Sequence, residues 1–310
     1  MDMVRAALRL RSGSMIWAFH DISEPEWFER CIDEISSERD VIALEEVAQN
    51  PGRRKACAVT FDDGLKSVLD IAHPILKERS LPYTVFVCTD VIAGGPVPWF
   101  VRIDHLIDLL GFDRVCQRWR VAGRRLQGKT DAIAALKEIP LDAILDGIRE
   151  LEEQYTISPP HPSGLFLSMD EVRWLSTAGA TIGSHTHRHP ILSTLSARGQ
   201  RDEVEKSARL IEKFTGRRPL EFAYPNGTPL DFDSTTIAVL RASGTRLAVT
   251  TIQRHLKPSD DLFALPRIGL GDGHSRFRRV CKSAAPALSP SYLRERRVRS
   301  RLALSERSGR

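Results

Sequence analysis

The sequence lacks a thiol framework. Its five cysteines (Cys31, Cys57, Cys88, Cys116 and Cys281) are odd in number, widely spaced and include no CxxC pair, so neither a disulfide scaffold nor a thiolate zinc site is encoded. Long apolar runs are also missing. None approaches the roughly 18 uncharged residues that span a bilayer, which argues against an integral membrane protein. Arg5, Arg9 and Arg11 interrupt the N-terminal stretch where an export leader would need apolar residues, so a cytoplasmic location is expected. No internal repeat or low-complexity tract is visible apart from an Arg-rich tail.

What is present is the composition of a soluble globular protein. The 310 residues are 42% apolar and 27% charged, with 20 Gly and 18 Pro, which excludes disordered and collagen-like chains. The length fits two average domains or one large α/β barrel. Net charge is +5, but residues 267–310 hold 12 Lys/Arg against 3 Asp/Glu, so the body is slightly acidic and the basicity belongs to the tail. Such a tail suits contact with an anionic membrane surface, although a solvated terminus explains it as simply. Binding of nucleic acid is not expected; it would require a steeply salt-dependent affinity residing in the tail.

Along the chain, short apolar runs alternate with runs of helical spacing. Residues 55–61 read as a strand, Leu65 to Leu76 as a helix, and residues 83–88 as a buried strand, which together make a βαβ unit. Ser168 and Glu171 form a capping box for a helix over 169–178, followed by a strand over 180–184. Further helices are predicted over 201–214 and 234–242, and further strands over 221–224 and 246–251. Such repetition favours a barrel or a doubly wound sheet. Residues 94–167 break the rhythm with charged, helix-prone sequence and read as a helical insertion, with Pro159-Pro160-His161-Pro162 marking the return. The expected organisation is one barrel over 1–274 containing that insertion, then a basic tail over 275–310.

Two clusters carry chemistry. Asp62 and Asp63 follow directly on a predicted strand, at the end of a parallel sheet where catalytic groups collect. Alone, an Asp-Asp-Gly turn is ordinary loop chemistry. The second cluster is His185-Thr-His187-Arg-His189-Pro190, three histidines in five positions after another strand. Two imidazoles and one carboxylate can hold a divalent cation with positions left open for water. Spacing alone leaves open which two histidines ligate. With a cation present, one aspartate would bind it and the other would stay free as a base, the arrangement of metal-assisted hydrolysis.

Thr60-Phe-Asp-Asp-Gly64 and His185-Thr-His-Arg-His189-Pro190 resemble the first two motifs, TFDDG and H-[ST]-x-x-H-P, of the polysaccharide deacetylases of carbohydrate esterase family four, which have the NodB-like fold. Trp17-Ala-Phe-His20 is similar to the segment in which many members carry Tyr-His before the first strand. Phe222-Ala-Tyr-Pro-Asn-Gly227 resembles the FAYPxG form of the third motif, and Leu265-Pro-Arg-Ile268 the late LPRI segment of the same subgroup. The resemblance implies an α/β fold, a distorted barrel with about seven strands, and removal of acetyl from an N-acetylated sugar of a polysaccharide or glycan precursor. It implies one divalent metal, usually zinc, held by Asp63, His185 and His189. Asp62 would be the base, His187 a spacer, and the Asn226 N–H an oxyanion donor, with Tyr224 and Pro225 beside the substrate.

Two departures stand out. Ala223 occupies the place where other members carry an arginine that orients the base, and Arg267 is the candidate replacement. The late segment also lacks the histidine that serves as general acid elsewhere, which leaves His20, or Asp62 acting twice, to return the proton. Trp99 and Tyr224 are candidate sugar platforms, with core packing an equal alternative. The competing functions are hydrolysis of another amide and a catalytically inactive glycan-binding barrel.

Overall fold

The computed structural model describes residues 13–119 and 129–271. The expected basic tail, and with it any membrane contact, lies outside the described residues, as does the 120–128 portion of the expected insertion. None of the described helices is long and apolar enough to cross a membrane.

The described strands are β1 (Met15–Phe19), β2 (Asp40–Val41), β3 (Ala56–Phe61), β4 (Thr84–Val87), β5 (Thr181–Ser184), β6 (Glu221–Ala223), β7 (Leu247–Val249) and β8 (Ile268–Gly269). Every pairing is parallel, in the order β7-β6-β5-β4-β3-β1-β8, with β2 paired to the first residues of β3. One extended segment spans the two edges. Leu265 bridges to Val249 of β7, and three residues later Ile268 pairs with Trp17 of β1. The result is the distorted α/β barrel that the resemblance implied, with seven strands around its path.

Local sequence accounts for most elements. Helix Met169–Thr177 opens with the expected capping box, Ser168 accepting from the Glu171 N–H while the Glu171 carboxylate accepts from the Ser168 N–H. Helix Ser234–Ala242 lies where its periodicity placed it. Helix Ala197–Thr215 starts earlier than the expected residue 201 because Ser196 caps it, accepting from the Gly199 N–H. Two expectations need correction. The segment Trp17 to His20 does not precede the first strand; Met15–Phe19 is itself a central strand between β3 and β8. The run after Leu65 is not one regular helix, since a π turn over Val68–Ala72 precedes helix His73–Glu78. Pro74, with no N–H to continue the i to i−4 ladder, sits at the join.

The outer faces of β1 and β3 (Trp17, Phe19, Val59, Phe61) pack against Phe28, Ile32 and Ile35 of helix Pro25–Glu38. Ile16, Ala58, Phe86, Ala223, Val249 and Leu265 form a separate interior cluster. Phe86 fills the middle of the barrel, and Gly183 makes the room: a Cβ at 183 would lie 2.4 Å from the Phe86 ring. Residues 94–167 contain helices Trp99–Leu110, Phe112–Arg118, Lys129–Leu136 and Leu141–Tyr155, which share their own apolar cluster around Ile103, Leu106, Ile144 and Ile148. The chain then returns to the barrel, where the Leu167 N–H donates to the Gly64 carbonyl and the Lys66 N–H to the Leu165 carbonyl, bracing the loop that follows Asp63.

The interior also holds a carboxylate. Glu221 in β6 accepts a hydrogen bond from the Thr84 hydroxyl (2.9 Å), and burial pushes its carboxyl up from about 4.5 to about 7. An acid whose folded pKa is raised binds more protons folded than unfolded, so stability falls as pH rises from about 4.5 through about 7 and stays lower above. Glu221→Gln is therefore expected to relieve about 2–3 kcal/mol at pH 8 and to flatten the dependence. Thermal melts of both proteins at pH 5 and pH 8 check this; parallel shifts in the two would refute it.

Candidate active site

Because every strand is parallel, all their C-terminal ends open on one rim, and the motif residues are the first residues past those ends. His20 follows β1, Asp62 and Asp63 follow β3, His185 follows β5, and Tyr224-Pro225-Asn226 follows β6. The rim is conformationally demanding. Asp63 (φ 71°), Thr186 (φ 67°), His189 (φ 58°) and Asn226 (φ 61°) all adopt left-handed backbone that non-glycine residues rarely occupy.

Asp63, His185 and His189 converge, and all three are buried. The Asp63 Oδ1 atom lies 3.4 Å from His185 Nε2 and 3.5 Å from His189 Nε2. The His185 Nδ1–H donates to the Ala223 carbonyl (2.8 Å), which leaves the Nε2 lone pair facing Asp63. Among the described residues, Asp63 Oδ1 is buried without a hydrogen-bond partner. An orphaned carboxylate oxygen facing two imidazole nitrogens fits a divalent cation, since ligands about 2.1 Å from one tetrahedral ion lie about 3.4 Å apart. Burial opposes the charging of His185, but Asp63 and the charge of Asp62 outweigh it and raise its pKa. His189 is driven down to about 3 by burial and by His185, so it stays neutral, the form in which imidazole ligates.

Asp62 has a different partner. Its two oxygens accept from the Arg267 guanidinium at 2.7 and 2.6 Å, a bidentate pair in which Arg267 is fully buried. Burial would raise the Asp62 pKa, but the guanidinium charge and hydrogen bonds hold it well below the usual carboxylate range. Arg267 also donates to the Thr250 carbonyl and the Thr60 hydroxyl, and its guanidinium lies over the Phe86 ring at 5.7 Å. Thr60 in turn donates to the Trp17 carbonyl, tying β3 to β1 beneath the site. His20 stands at the mouth with its Nε2 3.7 Å from Asp62 Oδ2.

The remaining sequence candidates divide. His187 turns away from the cluster, its ring against Thr89 and Asp90. Tyr224 is a core residue: it stacks on Phe232 at 4.0 Å and its hydroxyl donates to the Phe263 carbonyl, so it offers no open face to a sugar. Trp99 is buried as well, donating its indole N–H to the His189 carbonyl. Pro225 is buried, and the partly exposed Asn226 lies on the rim. His73 caps nothing at the site and bonds to Tyr83.

Sequence reasoning missed three supports. Glu203, buried on helix Ala197–Thr215, accepts from the N–H groups of His187 and Arg188 and from the Arg188 guanidinium, clamping the histidine loop. Its signal was legible: it is a carboxylate in the buried stripe Gln200, Glu203, Val204, Ser207, Ala208 and Ile211. Phe100 packs edge-on against His189 at 4.9 Å, and Lys137 reaches Asn226. Both come from the helical stretch, whose sequence pattern says nothing about where it lands.

Solved structures share this architecture. IcaB from Ammonifex degensii is 17% identical, with 84% of this chain and 93% of that one covered at a TM-score of 0.56. The deacetylase PplD of Streptococcus pyogenes, solved in complex with acetate, is 17% identical over 89% of this chain and 99% of its own at 0.55. The BpsB deacetylase domain from Bordetella bronchiseptica is 16% identical, covering 83% and 96% at 0.53. At these identities the likeness establishes the fold. No curated protein sequence matches the chain. The polysaccharide deacetylase family model, however, matches residues 49–248, about two-thirds of the chain, and spans the strands that carry Asp62, Asp63, His185, His189 and Asn226. On that match the chain belongs to the polysaccharide deacetylase family, and it is a hydrolase.

Proposed function

We propose that this protein removes acetyl groups from N-acetylated sugars of a polysaccharide or glycan precursor. The observation that carries the reading is the buried Asp63 Oδ1, without a hydrogen-bond partner among the described residues and facing two imidazole nitrogens, beside a second aspartate held by Arg267. Asp63, His185 and His189 would hold one divalent cation, and zinc suits a donor set of two imidazoles and a carboxylate. Such a cation, when bound, polarises the amide carbonyl and acidifies water.

Everything else falls to the chain's own side chains. Asp62, kept ionised by Arg267, is the acceptor for the proton of the attacking water. His20, 3.7 Å from Asp62 Oδ2 and open to solvent on its other side, is placed to pass it to the departing amine. The Asn226 N–H, for which no described residue supplies an acceptor, stabilises the oxyanion as the tetrahedral centre forms. Deacetylation releases acetate, the molecule held in the PplD structure.

Metal content and acetate release test this together. Wild type is expected to retain about one equivalent of divalent metal, and Asp63→Ala and His189→Ala to lose it. Acetate release from a panel of N-acetyl sugars and oligomers should depend on that metal. Metal without acetate from any of them would redirect the reading to another amide. A wild type that binds no metal would sink it in favour of a glycan-binding barrel.

A further inference from the structure

Asn226 is held at three points. Its carbonyl accepts from the Thr251 hydroxyl (2.7 Å), its side-chain Nδ2 donates to Asp231 Oδ2 (2.6 Å), and its Oδ1 accepts from the Lys137 ammonium. The last contact crosses from one body of sequence to another. Lys137 follows helix Lys129–Leu136, whose Ala132, Ile133 and Leu136 belong to the apolar cluster of the helical stretch, not to the barrel. Its charge also acts on His189 and Asp231.

Those contacts fix the amide one way round. An ammonium group can only donate and an ionised carboxylate can only accept, so Lys137 and Asp231 demand Oδ1 on one side and Nδ2 on the other. A flip about the terminal torsion would set an NH2 against the ammonium and a carbonyl against the carboxylate. With its side chain and carbonyl both pinned, Asn226 holds its left-handed φ of 61°, and its N–H is the group left to face a substrate. Gly227 cannot take over this bracing; a Cβ there would meet the Thr251 nitrogen at 3.0 Å, and its N–H is already given to the Pro225 carbonyl.

We propose that Lys137 is a positioning residue for the reaction: the helical stretch delivers it to lock Asn226 so that the Asn226 N–H meets the developing oxyanion. The inference rests on the deacetylase reading for the reaction that it serves, but the lock itself is independent of it. Removing one oxyanion donor outright typically costs about 10²–10³ in kcat, and loosening one costs less.

Two measurements on the full-length protein test it. Lys137→Met, which keeps the stem and removes the charge, is expected to speed hydrogen exchange over 224–228 about tenfold. With 4-nitrophenyl acetate as probe, its kcat should fall about 10- to 100-fold, with KM and bound metal unchanged. Lys137→Arg restores a cationic donor and should return both readouts towards wild type. Unchanged exchange in Lys137→Met overturns the proposal whatever the activity. So does a loss of kcat that Lys137→Arg shares in full, because packing and not charge would then be responsible. If wild type leaves the probe untouched, that counts against the deacetylase reading alone, and exchange still decides the role of Lys137.

Discussion

Asp62→Asn is expected to keep the metal and lose the reaction. The amide is nearly isosteric and its Oδ1 still accepts from Arg267, but its Nδ2 turns a donor toward the second guanidinium N–H, so some stability is lost along with the ability to take a proton from water. A general base contributes about 10²–10⁴ to the rate, and kcat should fall by that much while metal content stays at the wild-type value. The contrast with Asp63→Ala, which should lose metal and activity together, separates two adjacent carboxylates that the sequence presents as a pair. His20→Gln sorts the proton's return path. A tenfold or larger fall in kcat assigns that path to His20, whereas activity near wild type leaves Asp62 to carry the proton both ways. An Asp62→Asn enzyme within threefold of wild type would remove Asp62 from the mechanism.

Arg267→Met should be among the most destabilising single substitutions in the barrel. Arg267 is 0% exposed and Asp62 2% exposed, so removing the guanidinium strands a buried carboxylate. Breaking such a pair from one side costs about 3–5 kcal/mol, most of it the penalty on the charge left behind. Combining Arg267→Met with Asp62→Leu removes both charges from the same place and should recover most of that loss, though not activity. Chemical denaturation of the two single variants and the double variant measures the coupling. Additive effects would show that the pair is not the source of the cost.

Much of this is legible in the sequence, for reasons that differ by residue. Asp62, Asp63 and the histidine cluster 185–189 are legible because they follow predicted strands, and parallel strands put those positions on one rim; that His185 and His189 pair with Asp63, and His187 does not, follows only from the resemblance to the H-[ST]-x-x-H-P motif. Ser168 and Glu171 announced a helix start because a capping box needs only local spacing. Arg267 was a candidate only through the absence of an arginine at 223; its bidentate grip on Asp62 depends on a long-range closure that no periodicity encodes. Tyr224 misleads for a related reason: a tyrosine two residues before the proposed oxyanion donor Asn226 invites a substrate role, whereas Phe232 and Phe263, distant in pattern but close in space, claim its ring and hydroxyl. Strand β1 is not legible in the sequence because Met15–Phe19 is short and buried on both faces, so it shows neither alternation nor flanking turn chemistry strong enough to mark it.

The segment that closes the barrel also sets the order of assembly. Asp62 and Arg267 are separated by 205 residues, and Leu265 to Gly269 bridges β7 to β1 only once both edges exist. Contacts of such sequence separation form late, since the loop entropy must be overcome before the contact returns anything. Synthesised from its N-terminus, the chain can build β1 to β7 and place both aspartates while the interior charge still lacks its counterion. The Asp62 carboxylate becomes stable to bury in the same step that seals the barrel. Protection of the β1 edge and neutralisation of Asp62 are thus one folding event, and a chain stalled before it would expose an unpaired strand and an unusable site together.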